Sequence, residues 1–494
     1  MPEHYDLIIR GGTVYDGSGV AGERLDVGVQ GDLIATLGDL SDATGGEEID
    51  ASGQAVTPGF IDVHSHDDSL VLVEPDVVGK TMQGVTTVIA GNCGSGVVPY
   101  ERARDGIMRA MDVPDDFPTW SSYPEYLDVI DAHAPSLNVA TLVGQGTMRS
   151  GAIGSPSEQR PATEDELAQM RAWLAEGLEG GAVGVSTGLI YEPGRYTSTE
   201  ELIELAKECA RIGGLYASHI RGEGETLLDA VTEAIRIGEE AGCPVQISHH
   251  KATGEANWGR VHESLAIIDE ARSRGVGVTA DQYPYIASST GLAATVLNAR
   301  ASGNTVNGDR IFIASAPRTP EHEGKYLTAI AEEMDLPLDD AIDRLLGDNS
   351  STVTIVSFGM DEADVRTVLR HEAVMVGTDG LGWGSKPHPR HFGSYPRILE
   401  KYVREEGVIT LESAIHKMTG MPADKFRLTD RGYVREGMAA DLVVFDPATI
   451  VDNATYEDPR NAPSNMPHVV VNGTAVVRDG QHTHARVGRA LRRG

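Results

Sequence analysis

The sequence predicts an α/β fold: a parallel (β/α)8 barrel of the TIM type with a small β-sandwich domain built from both chain ends. Three observations support this prediction. Eight short apolar runs, each ending in a polar or glycine-rich tip, alternate with amphipathic helical stretches. The chain of 494 residues is long enough for a barrel of roughly 250 or more residues and a smaller unit. Both chain ends alternate apolar and polar residues between glycine turns, as antiparallel strands do.

The eight predicted barrel strands are rich in Val, Ile, Thr or Ala and are too short for helices. Such runs are typical of parallel strands that are buried on both faces. They lie at 55–66, 84–94, 137–147, 181–188, 213–221, 243–251, 275–285 and 373–380. A ninth strand-like run at 351–360 does not fit this pattern. We expect it to belong with an irregular insertion at about 286–350, after strand 7.

Helix starts and ends can be named between these strands. Thr163 with Glu166, and Ser198 with Glu201, have the spacing of capping boxes, and each pair precedes an apolar-periodic run. Gly213 and Gly242 stand just past predicted helix ends, where a left-handed residue is favoured.

The predicted domains follow from these patterns. Residues 1–57 and 425–494 each contain too few strands for a sound core, so we expect them to pair into one small β-domain. Residues 58–424 form the barrel with its insertion.

Composition excludes several classes of partner. The chain has 41 Lys and Arg against 74 Asp and Glu, a formal net charge of -33. This sign disfavours a nucleic-acid partner and an anionic membrane surface. Neither a signal peptide nor a run of about 18 apolar residues is visible, so we expect a cytoplasmic protein. No pattern in the sequence predicts an oligomeric state.

The three cysteines, Cys93, Cys209 and Cys243, are too few for a disulfide framework in a chain of this length, which indicates a reducing compartment. Cys209 in a helix and Cys243 at the start of strand 6 are expected to be small buried hydrophobes. Cys93 stands instead at the tip of strand 2.

Catalytic groups collect at the carboxyl ends of the strands in a parallel barrel. His64 and His66 are two residues apart and therefore point to one face. His249 and His250 are adjacent and point opposite ways, and we expect His249 to face the mouth. The tips together contribute six potential metal ligands or proton carriers: His64, His66, Cys93, His219, His249 and Asp379.

A cysteine thiolate with imidazoles suits Zn²⁺, and three protein ligands leave a fourth position for water. The sequence therefore predicts a zinc centre at the mouth of the barrel.

Motifs around these residues resemble a known family. The motifs are TPGFIDVHSHDD, GNCG, STGLIYEPG, ASHIRGEG, ISHHKATG, DQYPY, GTDGLG and HPRHFGSYPRIL. Through them the chain is similar to the N-acyl-D-amino-acid deacylase (D-aminoacylase) family of the amidohydrolase superfamily over nearly its full length. Many superfamily members carry a carboxylated lysine at the end of strand 4, where this chain has Ser186, Thr187 and Gly188. The absence of that lysine supports a cysteine-type site.

The resemblance implies hydrolysis of the amide bond of a small-molecule N-acyl-D-amino acid, giving a carboxylate and a free D-amino acid. It implies one tight Zn²⁺ site formed by Cys93, His219 and His249. A second, weaker metal position would fall among His64, His66 and Asp379. By position and by resemblance, Asp379 would be the general base and acid.

Cations near the mouth are candidates for binding the substrate carboxylate. The guanidinium of Arg390 can bind a carboxylate through two hydrogen bonds, and Lys251 shares a face with His249. Met360 would belong to an apolar pocket, although plain core packing is an equally good interpretation. By resemblance the substrate-binding set is Lys251, Tyr283, Ser289 and Arg390, with Tyr191 lining the same mouth.

Two other functions compete with this one. A cyclic-amide hydrolase of the hydantoinase or dihydroorotase kind would normally show the strand-4 lysine. A non-catalytic binding protein on the same fold would typically lose metal ligands, and this chain keeps them.

Overall fold

The computed structural model describes residues 3–110, 113–114 and 116–493. Its strands, in chain order, are β1 (His4–Val14), β2 (Glu23–Gln30), β3 (Leu33–Gly38), β4 (Thr44–Asp50), β5 (Ala55–Pro58), β6 (Phe60–Asp62), β7 (Val85–Ala90), β8 (Asn138–Gly144), β9 (Gly184–Gly188), β10 (Leu215–His219), β11 (Val245–Ile247), β12 (Val278–Gln282), β13 (Ala287–Gly291), β14 (Ile311–Ser315), β15 (Thr354–Phe358), β16 (Val374–Val376), β17 (Leu442–Phe445), β18 (His468–Val471), β19 (Thr474–Arg478) and β20 (Gln481–His482).

The helices of the described residues are α1 (Leu70–Val73), α2 (Val78–Thr81), α3 (Tyr100–Ala110), α4 (Tyr123–His133), α5 (Gln145–Ile153), α6 (Glu164–Glu179), α7 (Thr199–Ile212), α8 (Leu227–Ala241), α9 (Val261–Ser273), α10 (Leu292–Ala301), α11 (Leu327–Met334), α12 (Leu338–Asp348), α13 (Glu362–Arg370), α14 (Arg390–Arg397), α15 (Leu411–Met418) and α16 (Gly420–Phe426). A π-helical segment, Ile398–Glu405, continues α14.

Eight parallel strands form the predicted barrel. They are hydrogen-bonded in the order β6 to β12 and then β16, and a parallel bridge between Ser65 and Gly380 joins the first strand to the last. Strands β7 to β11 are buried along their whole length. The predicted barrel is therefore confirmed, and burial on both faces explains why its strands lack alternating polarity.

The predicted helix signals are also confirmed. Thr163 and Glu166 form a reciprocal capping box at α6, and Ser198 and Glu201 do so at α7. Each box satisfies two backbone N–H groups that the first helical turn leaves unpaired. Gly213 and Gly242 close α7 and α8 with φ of 74° each, a conformation in which a β-carbon would be strained.

Both chain ends contribute to one β-domain, as predicted. Its strands run in the order β20, β19, β18, β17, β5, β1, β2 and β3, with β4 paired to β1. Antiparallel pairing of Leu442 with Pro58 joins the two ends of the chain directly. Leu7, Val27 and Val470 belong to one buried apolar cluster, so each chain end completes the core of the other.

The predicted insertion after strand 7 is present, but the expectation that it is irregular is wrong. Strands β13, β14 and β15 form a three-stranded antiparallel sheet, and the strand-like run at 351–360 supplies β15. Ile313 and Ile355 pack with Leu292, Ile342 and Leu345 from α10 and α12 in a separate apolar cluster. The segment buries an apolar core of its own, and this core stabilises regular elements. The strand-like run at 351–360 therefore forms a strand.

Among the described residues, we find no helix whose length and apolar character would let it span a lipid bilayer.

Candidate metal centre

The six predicted residues meet at the carboxyl end of the barrel. Cys93, His249 and Asp379 have positive φ values of 54°, 37° and 49°. A non-glycine residue in such a conformation costs of order 1–3 kcal/mol and persists only where its surroundings hold it. All three residues follow parallel strands at the mouth of the barrel, where the candidate site lies.

The Sγ atom of Cys93 is surrounded by ring nitrogens. It lies 3.3 Å from Nε2 of His64, 3.5 Å from Nε2 of His249 and 3.7 Å from Nδ1 of His219. Nδ1 of His219 and Nε2 of His249 are 2.8 Å apart. The four side chains therefore direct their donor atoms toward one small volume.

The charges at this point favour a thiolate. Burial alone would raise the pKa of Cys93, but the imidazoles of His64 and His249 hold it well below its ordinary value. The thiolate is the form of cysteine that binds metals. A half-buried thiolate with converging imidazole nitrogens fits Zn²⁺.

Asp379 lies between two histidines and a guanidinium. Its Oδ1 is 3.1 Å from Nε2 of His66 and 3.5 Å from Nε2 of His64, and its Oδ2 is 2.9 Å from Arg390. Burial would raise the pKa of Asp379, but Arg390 and His64 hold it well below its ordinary value. Arg390 and His64 therefore favour the ionised form of this carboxylate.

Two acidic residues that the sequence analysis missed hold the histidines. Oδ1 of Asp281 is 3.1 Å from Nδ1 of His64 and accepts the backbone N–H of His249 at 2.8 Å. Oε1 of Glu223 is 3.0 Å from Nδ1 of His249. Carboxylates on the far nitrogen of a ligand histidine fix its tautomer and ring orientation. The available signals were a carboxylate inside strand β12 and an acid four residues after His219.

His249 and His250 differ in direction. The ring of His249 belongs to the cluster just described, whereas Nε2 of His250 lies 2.9 Å from the hydroxyl of Ser264 in α9. His249 thus belongs to the site, whereas His250 packs against a surrounding helix.

The predicted substrate-binding cations share one aromatic ring. Lys251 Nζ lies 5.6 Å and Arg390 Cζ lies 4.4 Å from the ring centre of Tyr283. The sulfur of Met360 is 4.0 Å from the Tyr283 hydroxyl, and the carbonyl of Ser289 accepts a hydrogen bond from Arg390 at 3.0 Å. These five residues form a buried cluster beside Asp379.

Tyr191 lies on the other side of the centre. Its ring packs edge-on against His219, with ring centres 4.9 Å apart, and its hydroxyl is 2.9 Å from that of Thr290. Packing of this kind holds both rings in place next to Cys93.

A cavity of about 400 Å³ reaches the centre from the surface. Its wall includes His66, Cys93, Tyr191, Ser289 and Asp379. Among its described lining residues, Ser289 is the one member of the cation cluster around Tyr283.

Comparisons with known proteins agree with the fold and the site. The model of the amidohydrolase family matches residues 47–335 and 327–477. D-aminoacylase and N-acyl-D-glutamate deacylase of Alcaligenes xylosoxydans xylosoxydans are 40% and 42% identical over 491 and 493 residues, covering 99% and 100% of this chain and 98% of each relative. The chain therefore belongs to the amidohydrolase family.

Two solved structures resemble this chain to different degrees. N-acyl-D-glutamate deacylase from Bordetella bronchiseptica, complexed with zinc and a phosphonate mimic of the tetrahedral intermediate, superposes with a TM-score of 0.90 at 39% identity, covering 99% of this chain and all of that one. L-hydantoinase from Arthrobacter aurescens covers as much but has a TM-score of 0.62 at 18% identity, a likeness of fold alone.

Proposed function

We propose that this protein hydrolyses N-acyl-D-amino acids to a carboxylate and a free D-amino acid, using one tightly bound Zn²⁺. The observation that carries the proposal is the position of the Asp379 carboxylate between the cysteine–histidine donor set and a buried cluster of cations. Full-length likeness to deacylases of such substrates supports the same reaction.

Cys93, His219 and His249 would hold the tight ion, with a weaker second position among His64, His66 and Asp379. When bound, zinc supplies Lewis-acid polarisation of a carbonyl and lowers the pKa of its bound water to about 7. Such a site requires cysteine as the thiolate and histidine as the neutral imidazole, so zinc binding would release protons from these groups.

Asp379 would move the proton. Its Oδ1 faces the histidine side of the centre, and its backbone N–H donates to the carbonyl of His64 at 2.8 Å, which fixes the carboxylate at the mouth. The carboxylate accepts a proton from the attacking water and delivers it to the departing nitrogen, because an amine leaves only when protonated.

Recognition of the substrate carboxylate would fall to Lys251, Tyr283, Ser289 and Arg390. Both cations already face protein carboxylates, Arg390 that of Asp379 and Lys251 that of Glu223. They are thereby held in place before the substrate arrives, which lowers the entropic cost of binding it. Tyr191 would line the mouth and Met360 would contact the substrate side chain.

A substrate screen tests the reaction class. We expect the zinc-loaded protein to hydrolyse N-acetyl-D-amino acids well in excess of their L-enantiomers and of a hydantoin. A strong chelator should abolish the activity and added zinc should restore it. Preferred turnover of the hydantoin, or equal activity after complete removal of metal, would contradict the proposal.

Substitution of Arg390 tests carboxylate recognition. A charge-assisted hydrogen bond contributes about 1.5–3 kcal/mol, so Arg390→Ala is expected to raise KM for a free acid by about 10- to 100-fold. KM for the matching methyl ester should change little, since an ester gains little from a guanidinium. Because Arg390 also contacts Asp379, kcat should fall on both substrates. Equal KM effects on acid and ester would instead make Arg390 a support for Asp379 only.

A further inference from the structure

We infer that Glu223 is a positioning residue that selects the metal-binding tautomer of His249 in opposition to Lys251. The inference rests on the proposed zinc site and concerns how the chain prepares one ligand for it. Glu223 is four residues past His219, and Lys251 is two residues past His249.

Glu223, Lys251 and His249 form a tight triangle. Oε1 of Glu223 lies 3.0 Å from Nδ1 of His249 and 2.5 Å from Nζ of Lys251, and Nζ of Lys251 lies 2.9 Å from the same Nδ1. The three side chains are 12%, 7% and 2% exposed. Water therefore competes little for these contacts.

The loops that carry the triangle are tied together. The backbone N–H of Thr253 donates to the carbonyl of Glu223 at 2.7 Å, and Nζ of Lys251 donates to the carbonyl of His249 at 2.9 Å. Glu223 is thus held against His249 by the backbone as well as by charge.

The neighbours of Nδ1 favour opposite tautomers. A neutral imidazole has one N–H, and Nε2 of His249 must keep its lone pair because it faces Cys93 and His219. Nδ1 must then carry the hydrogen, which a carboxylate can accept and an ammonium cannot. Lys251 alone would donate to Nδ1 and leave the hydrogen on Nε2, where it blocks metal binding.

Glu223 resolves this conflict by binding both groups. Its carboxylate lies within hydrogen-bond distance of both Nδ1 of His249 and Nζ of Lys251, so the ammonium can donate to the carboxylate instead of to the ring. It is also 3.9 Å from Nε2 of His219, the far nitrogen of a second proposed ligand. Loss of Glu223 therefore removes a support and at the same time leaves an opposing donor in place.

The test is zinc affinity, measured by competition with a chromophoric chelator. It compares the wild type, Glu223→Ala, Lys251→Met and the double variant that carries both substitutions. Removing a carboxylate that orients a ligand histidine weakens metal binding by about 10- to 100-fold, and we expect Glu223→Ala to lie at or beyond the upper end. Lys251→Met alone should keep wild-type affinity while raising KM. The double variant should recover affinity by about tenfold over Glu223→Ala, because the opposing donor is gone.

Two further variants distinguish this role from a general loss of stability. Glu233 pairs with Arg221 at 2.9 Å, away from the ligand histidines, and Glu233→Ala should leave zinc affinity unchanged. In Glu223→Gln the amide oxygen can still accept from Nδ1, so its affinity should be intermediate even if Glu223→Ala is unstable.

The outcomes distinguish the two proposals. Wild-type protein without zinc would overturn the metal site and this inference with it. If the wild type and Glu223→Ala bind zinc with equal affinity, only the role of Glu223 is overturned. A double variant no better than Glu223→Ala would overturn tautomer selection.

Discussion

Replacing Cys93 with alanine is expected to remove the tightly held zinc and the hydrolytic activity together. The sulfur is the atom around which nitrogens of His64, His219 and His249 gather within 3.7 Å. An alanine leaves only the two imidazoles of the proposed tight site, whereas a catalytic zinc site has three protein ligands.

The barrel should remain folded in this variant. Cys93 lies beyond the end of β7, at the mouth rather than in the core, and its φ of 54° is already strained for any residue with a β-carbon. Metal analysis after dialysis gives the zinc content, and circular dichroism with thermal unfolding checks the fold.

Cys209→Ala provides the matched control. Cys209 is fully buried in α7, so its replacement should lower stability by about 1 kcal/mol, as buried truncations of one heavy atom do, and leave zinc content unchanged. Full zinc occupancy in Cys93→Ala would end the cysteine-site interpretation.

The barrel was predictable because burial on both faces imposes a local pattern. Each of its strands is a short run of Val, Ile, Thr or Ala, and the chain repeats that run with helices between. Once strand ends are known, parallel topology brings their tips together. His64, Cys93 and His249 could therefore be grouped although they are far apart in sequence.

Contacts outside the strand tips were not predictable in the same way. The approach of Glu223 to His249, or of Arg390 to Asp379, depends on how loops from different strands fold against one another. The insertion was misjudged for a related reason, since β13, β14 and β15 are separated by helices and only their pairing reveals a sheet.

Asp379→Asn is expected to retain zinc and lose most turnover. Asp379 approaches the centre through Oδ1, but the proposed tight site has three other ligands, Cys93, His219 and His249, and three protein ligands are enough to hold zinc. An asparagine matches the shape of the aspartate but cannot accept the proton. General acid–base groups contribute about 10²- to 10⁴-fold, so kcat should fall by at least that factor.

Breaking the ion pair with Arg390 is a separate effect that needs its own control. Arg390 is fully buried and Asp379 is 2.9 Å away, so the variant leaves an uncompensated buried cation and should unfold at lower temperature. Asp452, whose carboxylate faces Arg397 at 3.7 Å and is 4% exposed, allows the matched change Asp452→Asn. That variant should keep its turnover.

The decisive measurement is kcat with saturating N-acetyl-D-amino acid, alongside zinc content. Zinc retained with kcat reduced at least 10²-fold supports Asp379 as the general base. Zinc lost in parallel with activity would make Asp379 mainly a ligand of the tight ion. Near wild-type kcat in Asp379→Asn would refute the assignment, because no proton acceptor would remain at the position that Asp379 occupies between His66 and Arg390.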